Sequence, residues 1–223
     1  MDWTPIVLTF KLAVLTTAIL LVIAVPFSYW LAINNSRLKV VISALVSMPL
    51  VLPPTVLGFY LLLLLSPESL PGKWYLNLTN QSLVFSFTGL LIGSVIYSLP
   101  FMINPIRSGF ASLPRELSEA AYVLGKSKFN VIIKVLLPAI KPALLTGIIL
   151  TFAHTLGEFG VVLMIGGSIP NETRVVSIAI YDLVETLQYE QAHIYSLFLF
   201  GVSFIILLAV QGVNSGFLKR FWR

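Results

Sequence analysis

Residues 5–33 read PIVLTFKLAVLTTAILLVIAVPFSYWLAI, a run in which Lys11 is the single charge. A helix needs about 20 mostly apolar residues to cross a bilayer, so this run is long enough to span even when tilted. Water could not wet such a surface, and a soluble fold of this size could not hide it. Four more stretches read the same way, at about Val40–Leu65, Leu83–Ile106, Leu136–Ile165 and Ile194–Val213. The expected fold class is an all-α integral membrane protein with about five transmembrane helices, one domain over residues 1–223. A further apolar stretch, Val175–Val184, is too short to cross and holds Asp182; it is expected as an amphipathic helix in or near the interface.

Composition agrees. The 223 residues are 57% hydrophobic and 10% charged, with a mean hydropathy of +0.95. Soluble domains carry about 25% charged residues. A soluble enzyme, a disordered chain and a nucleic-acid-binding domain are excluded. There is no cysteine, hence no disulfide framework, thiolate metal site or cysteine nucleophile. No basic stretch precedes the first apolar run as a cleaved signal peptide would require, so that run is expected to be retained as a span.

The few charges are unevenly placed. Arg37 and Lys39 lie between the first two spans. Arg107, Arg115, Lys126, Lys128, Lys134 and Lys141 lie between the third and fourth, and Lys219, Arg220 and Arg223 follow the last. These loops alternate onto one side and hold eleven of the fourteen basic residues. Cytoplasmic loops collect Lys and Arg, which predicts an external N-terminus and a cytoplasmic C-terminus.

The loop between spans three and four contains SLPRELSEAAYVLGKSK, residues 112–128. Pro114 suits a first helical turn. Glu116 and Glu119 lie toward the end where the helix dipole favours acids. Leu117, Ala121 and Leu124 recur at i, i+4 and i+7, predicting one apolar face. Gly125 suits the C-terminal cap, and Lys126 and Lys128 complement the negative end. A short helix with an apolar stripe is marginal alone and must dock on its own bundle or on a partner. The run Gly125-Lys126-Ser127 imitates the end of a phosphate-binding P-loop, but that pattern requires Gly where Ala120 stands. No nucleotide site is expected in this chain.

The spacing Glu119-Ala120-Ala121, Gly125, Val135, Leu137-Pro138 resembles the EAA signature of binding-protein-dependent ABC importer permeases, with Val135 where the family usually has Ile. The resemblance implies a type I importer permease fold and a cytoplasmic coupling helix formed by the 114–128 loop. In that family this helix fits a groove on a separate ATPase subunit. Glu119, Ala120, Ala121, Leu124, Gly125, Leu137 and Pro138 would be the coupling residues, with Leu137-Pro138 restarting a helix. The chain would then be a transport subunit and not itself an enzyme. The runs Leu156-Gly157-Glu158-Phe159-Gly160, Ile169-Pro170-Asn171-Glu172-Thr173-Arg174 and Met48–Gly58 resemble the molybdate permeases within that family; sulfate and thiosulfate permeases share much of the pattern.

Ionisable groups inside spans are functional candidates. Thr151, Thr155 and Glu158 follow i, i+4, i+7 along span four, with His154 beside them. Two possible ligands without a third do not make a metal site. Proline frees backbone carbonyls, which are tolerated where they are buried or face a cavity. That singles out Pro53, Pro54 and Thr55, and secondly Ser98 and Asn104 with their neighbouring prolines, as pathway or gate candidates. The spans contain no basic cluster, as befits a permease that passes an anion delivered by another protein.

The expected function is therefore the membrane subunit of an ATP-driven importer, in a bacterial inner membrane, for molybdate or a similar tetrahedral oxyanion such as tungstate, sulfate or thiosulfate. Its implied partners are two ATPase subunits, a periplasmic binding protein, a second copy of the permease or a similar chain, and lipid; no nucleic acid and no cofactor are expected. The competing class is an ion-coupled secondary transporter using Glu158 and His154 as a relay.

Overall fold

The computed structural model describes residues 2–34 and 36–214. Lys219, Arg220 and Arg223, on which the expected side of the C-terminus partly rests, lie outside the described residues. The elements in chain order are α1 (Thr4–Ile33), α2 (Leu38–Ser47), α3 (Pro54–Leu65), α4 (Leu70–Thr79), α5 (Phe87–Ala111), α6 (Arg115–Val123), α7 (Lys128–Val131), α8 (Leu137–Ala139), α9 (Lys141–Leu156), α10 (Gly160–Gly166), α11 (Val176–Glu185) and α12 (Tyr189–Asn214). A 3₁₀ turn covers Met48–Leu50, and a π-helical segment covers Ile132–Leu136.

By length and composition α1, α5 and α12 can each cross a membrane, and two bent pairs raise the number to five. The first and central layer is α1 against α5 and α9. Small or hydroxylated residues are interspersed with leucines along the buried face of α1, as suits helices that associate in lipid through close packing. On α1 these are Thr9, Ala13, Thr16, Ala24 and Ser28, all buried. Ser28 Oγ donates to the Ile103 carbonyl at 3.2 Å. Thr9 Oγ1 donates to Pro5 O within α1 and accepts the Val176 backbone N–H at 2.8 Å, fixing the start of α11.

The expected second span is broken. Its two halves, 38–50 and 54–65, meet at 110°. The cause is local: Pro53 and Pro54 have no N–H to continue the α2 ladder, and a residue before proline is pushed out of the helical region. Pro53 accordingly sits at ψ 134°.

The expected fourth span is also interrupted. Leu137-Pro138 does not restart the helix as expected, because the chain is already helical from Lys128 to Ala139. The missing N–H of Pro138 is accommodated by the π segment, in which the Leu137 N–H reaches back to Ile132 O. The change of direction comes at Ile140, where 128–139 and 141–156 meet at 76° and Pro142 opens α9. A second break at Gly157–Phe159 separates α9 from α10.

The stretch Val175–Val184 is a helix as expected, and one face of it, Val176, Ile178 and Ala179, is buried in packing that involves α1 and α12. The short helix α4 was not anticipated. Ser69 caps it by accepting the Gly72 N–H, and it leaves Leu70, Trp74 and Leu78 exposed. The outer side of α12 is apolar, with Phe200, Phe204 and Ile205 exposed.

One core cluster matters most for function. Leu20, Ala24 and Leu31 of α1, Met102, Ile106 and Phe110 of α5, Ala121 of α6, and Val131, Leu136 and Ile140 pack together. The short helix α6 is thus rooted in the same core as the two longest central helices.

Candidate functional site

The two helix breaks meet. Gly160, at the start of α10, lies so close to the start of α3 that a Cβ there would stand 2.8 Å from Pro54 Cβ and 3.4 Å from Thr55 N. One turn on, a Cβ on Gly58 would stand 2.8 Å from Met164 Cβ. Glycine at both positions lets α3 and α10 touch. Beside the contact opens a cavity of about 520 Å³, lined by Pro54, Thr55, Tyr97, Ala153, His154, Gly157, Glu158, Phe159 and Gly160.

Behind His154 the cavity wall is backed by a connected polar set. Ser98 Oγ lies 3.0 Å from His154 Nδ1 and 3.0 Å from Thr155 Oγ1. Thr155 Oγ1 donates to the Thr151 carbonyl at 2.9 Å. The His154 ring stacks on Phe101, with centroids 4.0 Å apart, and its other neighbour is Tyr97 at 4.6 Å.

Glu158 is different. It is 4% exposed, and neither carboxyl oxygen has a hydrogen-bond partner among the described residues. The hydroxyls of Ser94 and Thr151, also fully buried, are likewise unpartnered. Ser177 Oγ donates to the Glu158 carbonyl at 2.6 Å, tying α11 to the break. A buried polar group without a partner costs stability, and Ser94 is the side-chain hydroxyl that faces this carboxyl.

Pro54, Thr55 and Glu158 line the cavity, and Pro53 stands at the entry to α3. Ser98 and Thr155 are buried behind its wall, and Thr151 is one turn further along α9. Asn104 is half-buried elsewhere on α5 and does not line the cavity. Glu158 and His154 share the cavity, but no hydrogen bond joins them. Two contributors were missed, Ser94 and Phe101. Both lie on the face of α5 set by the i, i+4, i+7 spacing Ser94-Ser98-Phe101, which was legible in the sequence.

The coupling loop forms α6 as expected, and Gly125 follows it at φ +71°, with open space for 4 Å around the point where a Cβ would stand. Its need for glycine is conformational, since the left-handed region penalises other side chains. Leu117 and Ala121 face the bundle. Leu124 departs from the predicted stripe: the helix ends at Val123, so Leu124 turns outward and is 76% exposed. Glu119, Ala120 and Pro138 are also exposed, and Leu137 is half-buried. Val123, Leu124 and Phe129, close to Gly125 in the chain, are exposed. Next to α6, Arg107 donates to Ser43 Oγ at 2.9 Å and joins α5 to α2.

A polytopic helical protein with broken spans around a cavity, and a short helix rooted in its core at the basic end, has the build of a membrane transport component. The chain belongs to the family of binding-protein-dependent transport system inner membrane components, which it matches over residues 24–217. Its fold is that of a type I importer permease. It is 46% identical over 209 residues to the molybdenum transport system permease protein ModB of Azotobacter vinelandii, covering 94% of this chain and 92% of that one. It is 30% identical over 221 residues to ModB of Haemophilus influenzae, covering 99% and 96%. A probable sulfate transport system permease protein, cysT, of Nephroselmis olivacea is 31% identical over 174 residues, covering 78% of this chain and 61% of that relative.

Proposed function

We propose that this chain is the membrane subunit of an ATP-driven importer that moves molybdate, or a closely similar tetrahedral oxyanion, into the cytoplasm. Two copies enclose the path, two ATPase subunits sit on their α6 helices, and a separate binding protein delivers the anion to the opposite side. The N-terminus faces that side and the basic end, with the C-terminus, faces the cytoplasm. The ATPases hydrolyse the nucleotide; this chain moves.

One observation carries the coupling. Helix α6 has two faces with different uses: Leu117 and Ala121 are packed into the core that holds α1 and α5, while Glu119, Ala120 and Leu124 are left bare. A body seated on the bare face moves the two central helices with it. The cavity between the α3 and α9–α10 breaks is lined from α5 by Tyr97, and its Thr55 hydroxyl sits in the first turn of α3, the end of a helix dipole that favours anions. The substrate is taken from the molybdenum permeases that this chain resembles over nearly its full length.

The test is uptake of labelled molybdate by cells that carry the whole system, with unlabelled sulfate as competitor. Molybdate uptake unaffected by a hundredfold excess of sulfate supports the reading. Equal competition moves the assignment to a sulfate importer, the reading that the likeness to the cysT chain favours.

A further inference from the structure

Helix α4 has 10 residues, so it runs about 15 Å and is too short to cross a bilayer. Its exposed side is nevertheless apolar: Leu70 is 87% exposed, Trp74 69% and Leu78 67%. Recurring every fourth residue, these three fall within about 80° of the helix circumference. A second arc, Gly72, Tyr75 and Leu76, faces the protein. A Cβ on Gly72 would collide with the Leu65 and Ser66 carbonyl oxygens, and Tyr75 packs against the cluster that holds Leu61, Leu65, Leu83 and Val84. The third arc holds Lys73 and Asn77, both exposed. Three surroundings meet on one short helix: protein, water and something apolar.

The place of α4 in the fold says what the apolar surrounding is. Lys11 lies two turns into α1, and its ammonium stands 4.5 Å from the centroid of Phe87, the first residue of α5. A lysine near the end of a span carries its charge to the lipid–water boundary, which sets that boundary at the first turn of α5. Leu83 and Val84, in the cluster that receives Tyr75, come just before that turn. Helix α4 therefore lies at the boundary, at the end of α5 opposite α6. Trp3, 63% exposed, stands at the same end, before the first turn of α1, and tryptophan collects at membrane interfaces.

We propose that α4 is an interfacial helix, with Leu70, Trp74 and Leu78 sunk in the lipid leaflet opposite α6 and with Lys73 and Asn77 in the water. An amphipathic helix of this build buries its apolar face about 5–10 Å into the headgroup boundary. A stable contact with a second protein takes about 800 Å² from each partner, and three side chains fall well short of it. The seat also bears on α3. Ser69 Oγ lies 2.6 Å from the Leu64 carbonyl and 2.7 Å from that of Ser66, and accepts the Gly72 N–H at 3.0 Å. A seated α4 thus holds the far end of the helix whose first turn lines the cavity.

The chain has no cysteine, so a single one can be introduced and spin-labelled without background. Leu70→Cys, Lys73→Cys, Trp74→Cys, Asn77→Cys and Leu78→Cys are each labelled in the purified permease, which is then assembled with unlabelled ATPase in phosphatidylethanolamine–phosphatidylglycerol liposomes. Power saturation reads collision with oxygen, which partitions into lipid, against a nickel chelate, which stays in water. Labels at 70, 74 and 78 are expected to favour oxygen at least threefold over those at 73 and 77. Two results overturn the proposal. Nickel access at 70, 74 and 78 equal to that at 73 and 77 places the stripe in water. Exclusion of both reagents from the stripe places it under protein, either a second copy of this chain or another subunit. A measurement on the unaltered complex guards against misfolded variants: photolabelling by a phospholipid with a diazirine in its acyl chain, read by peptide mass spectrometry. Label is expected on Leu70, Trp74 and Leu78. A peptide 70–79 free of label while the spans are labelled overturns the seat in lipid.

Discussion

Replacing Gly160 with alanine places a Cβ 2.8 Å from Pro54 Cβ and 3.4 Å from both the Pro54 carbonyl carbon and the Thr55 nitrogen. None of these atoms is the end of a flexible side chain, so relief requires α10 and α3 to separate by several tenths of an ångström. Overpacking of this kind costs about 1–3 kcal/mol. The gain in helix propensity of Ala over Gly, at most about 1 kcal/mol in a helix interior, is smaller at a first helical position. A net destabilisation of about 1–2 kcal/mol corresponds to a Tm lowered by about 2–8 °C for a chain of this size. Gly201→Ala on α12 is the internal control, since nothing lies within 4 Å of a Cβ there, and it is expected to leave Tm unchanged or slightly raised. The assay is thermal unfolding of the purified permease in detergent, with uptake measured in parallel. Because the strained contact borders the cavity, Gly160→Ala is expected to lower uptake as well as Tm, and Gly201→Ala neither. A Gly160→Ala protein that melts within about 1 °C of wild type would refute the claim that the α3–α10 contact requires glycine.

Gly125→Ala puts a β-carbon on a residue at φ +71° with open space around it, so its cost is backbone strain of about 1–2 kcal/mol; uptake and ATPase binding are expected to fall while membrane insertion, read by fractionation, is unchanged, and Gly125→Asn is expected to be milder. Thr9→Val keeps the shape of a buried side chain but removes the acceptor of the Val176 N–H. The orphaned donor is expected to cost about 1–3 kcal/mol, read as a lower Tm. Asp2 accepts the Thr4 N–H at 2.9 Å and the Thr4 hydroxyl at 2.7 Å, and these bonds hold its carboxyl below the ordinary value of 3.8. A depressed carboxyl contributes stability that is present above its unfolded value and lost as pH falls through the folded one. Amide exchange at Thr4 is therefore expected to accelerate, beyond its intrinsic pH dependence, on acidification below that range, and Asp2→Asn to abolish the change.

The class of fold was legible because it rests on composition and run length, which local context cannot reverse: residues 5–33 are one helix, and so in the main are 87–111 and 189–214. The breaks were legible only in part. Pro53, Pro54 and the glycines at 157 and 160 stand in the sequence as signals, but whether freed backbone kinks a span or turns it by 110° depends on what it packs against, and α10 supplies that partner for α3. The restart expected at Leu137-Pro138 was misplaced because a π segment can absorb a proline that an α-helix cannot. At the site, Glu158 and Thr155 were visible from helical spacing along one segment. Ser94 and Phe101 were not singled out, since they stand against Glu158 and His154 from α5 and only the crossing of α5 with α9 brings them there. Leu124 fitted the stripe of α6 by spacing, but the helix ends one residue before it.

On the proposed function, movement of anion through this chain is driven by nucleotide on another subunit. The direct measurement is molybdate uptake into liposomes holding the permease, its ATPase and its binding protein, with ATP supplied or withheld and with a proton gradient imposed or absent. Uptake is predicted to require ATP and the binding protein, and to be indifferent to the gradient. Uptake driven by a proton gradient in liposomes holding this chain alone would contradict the account and make Glu158 and His154 parts of an ion-coupled relay.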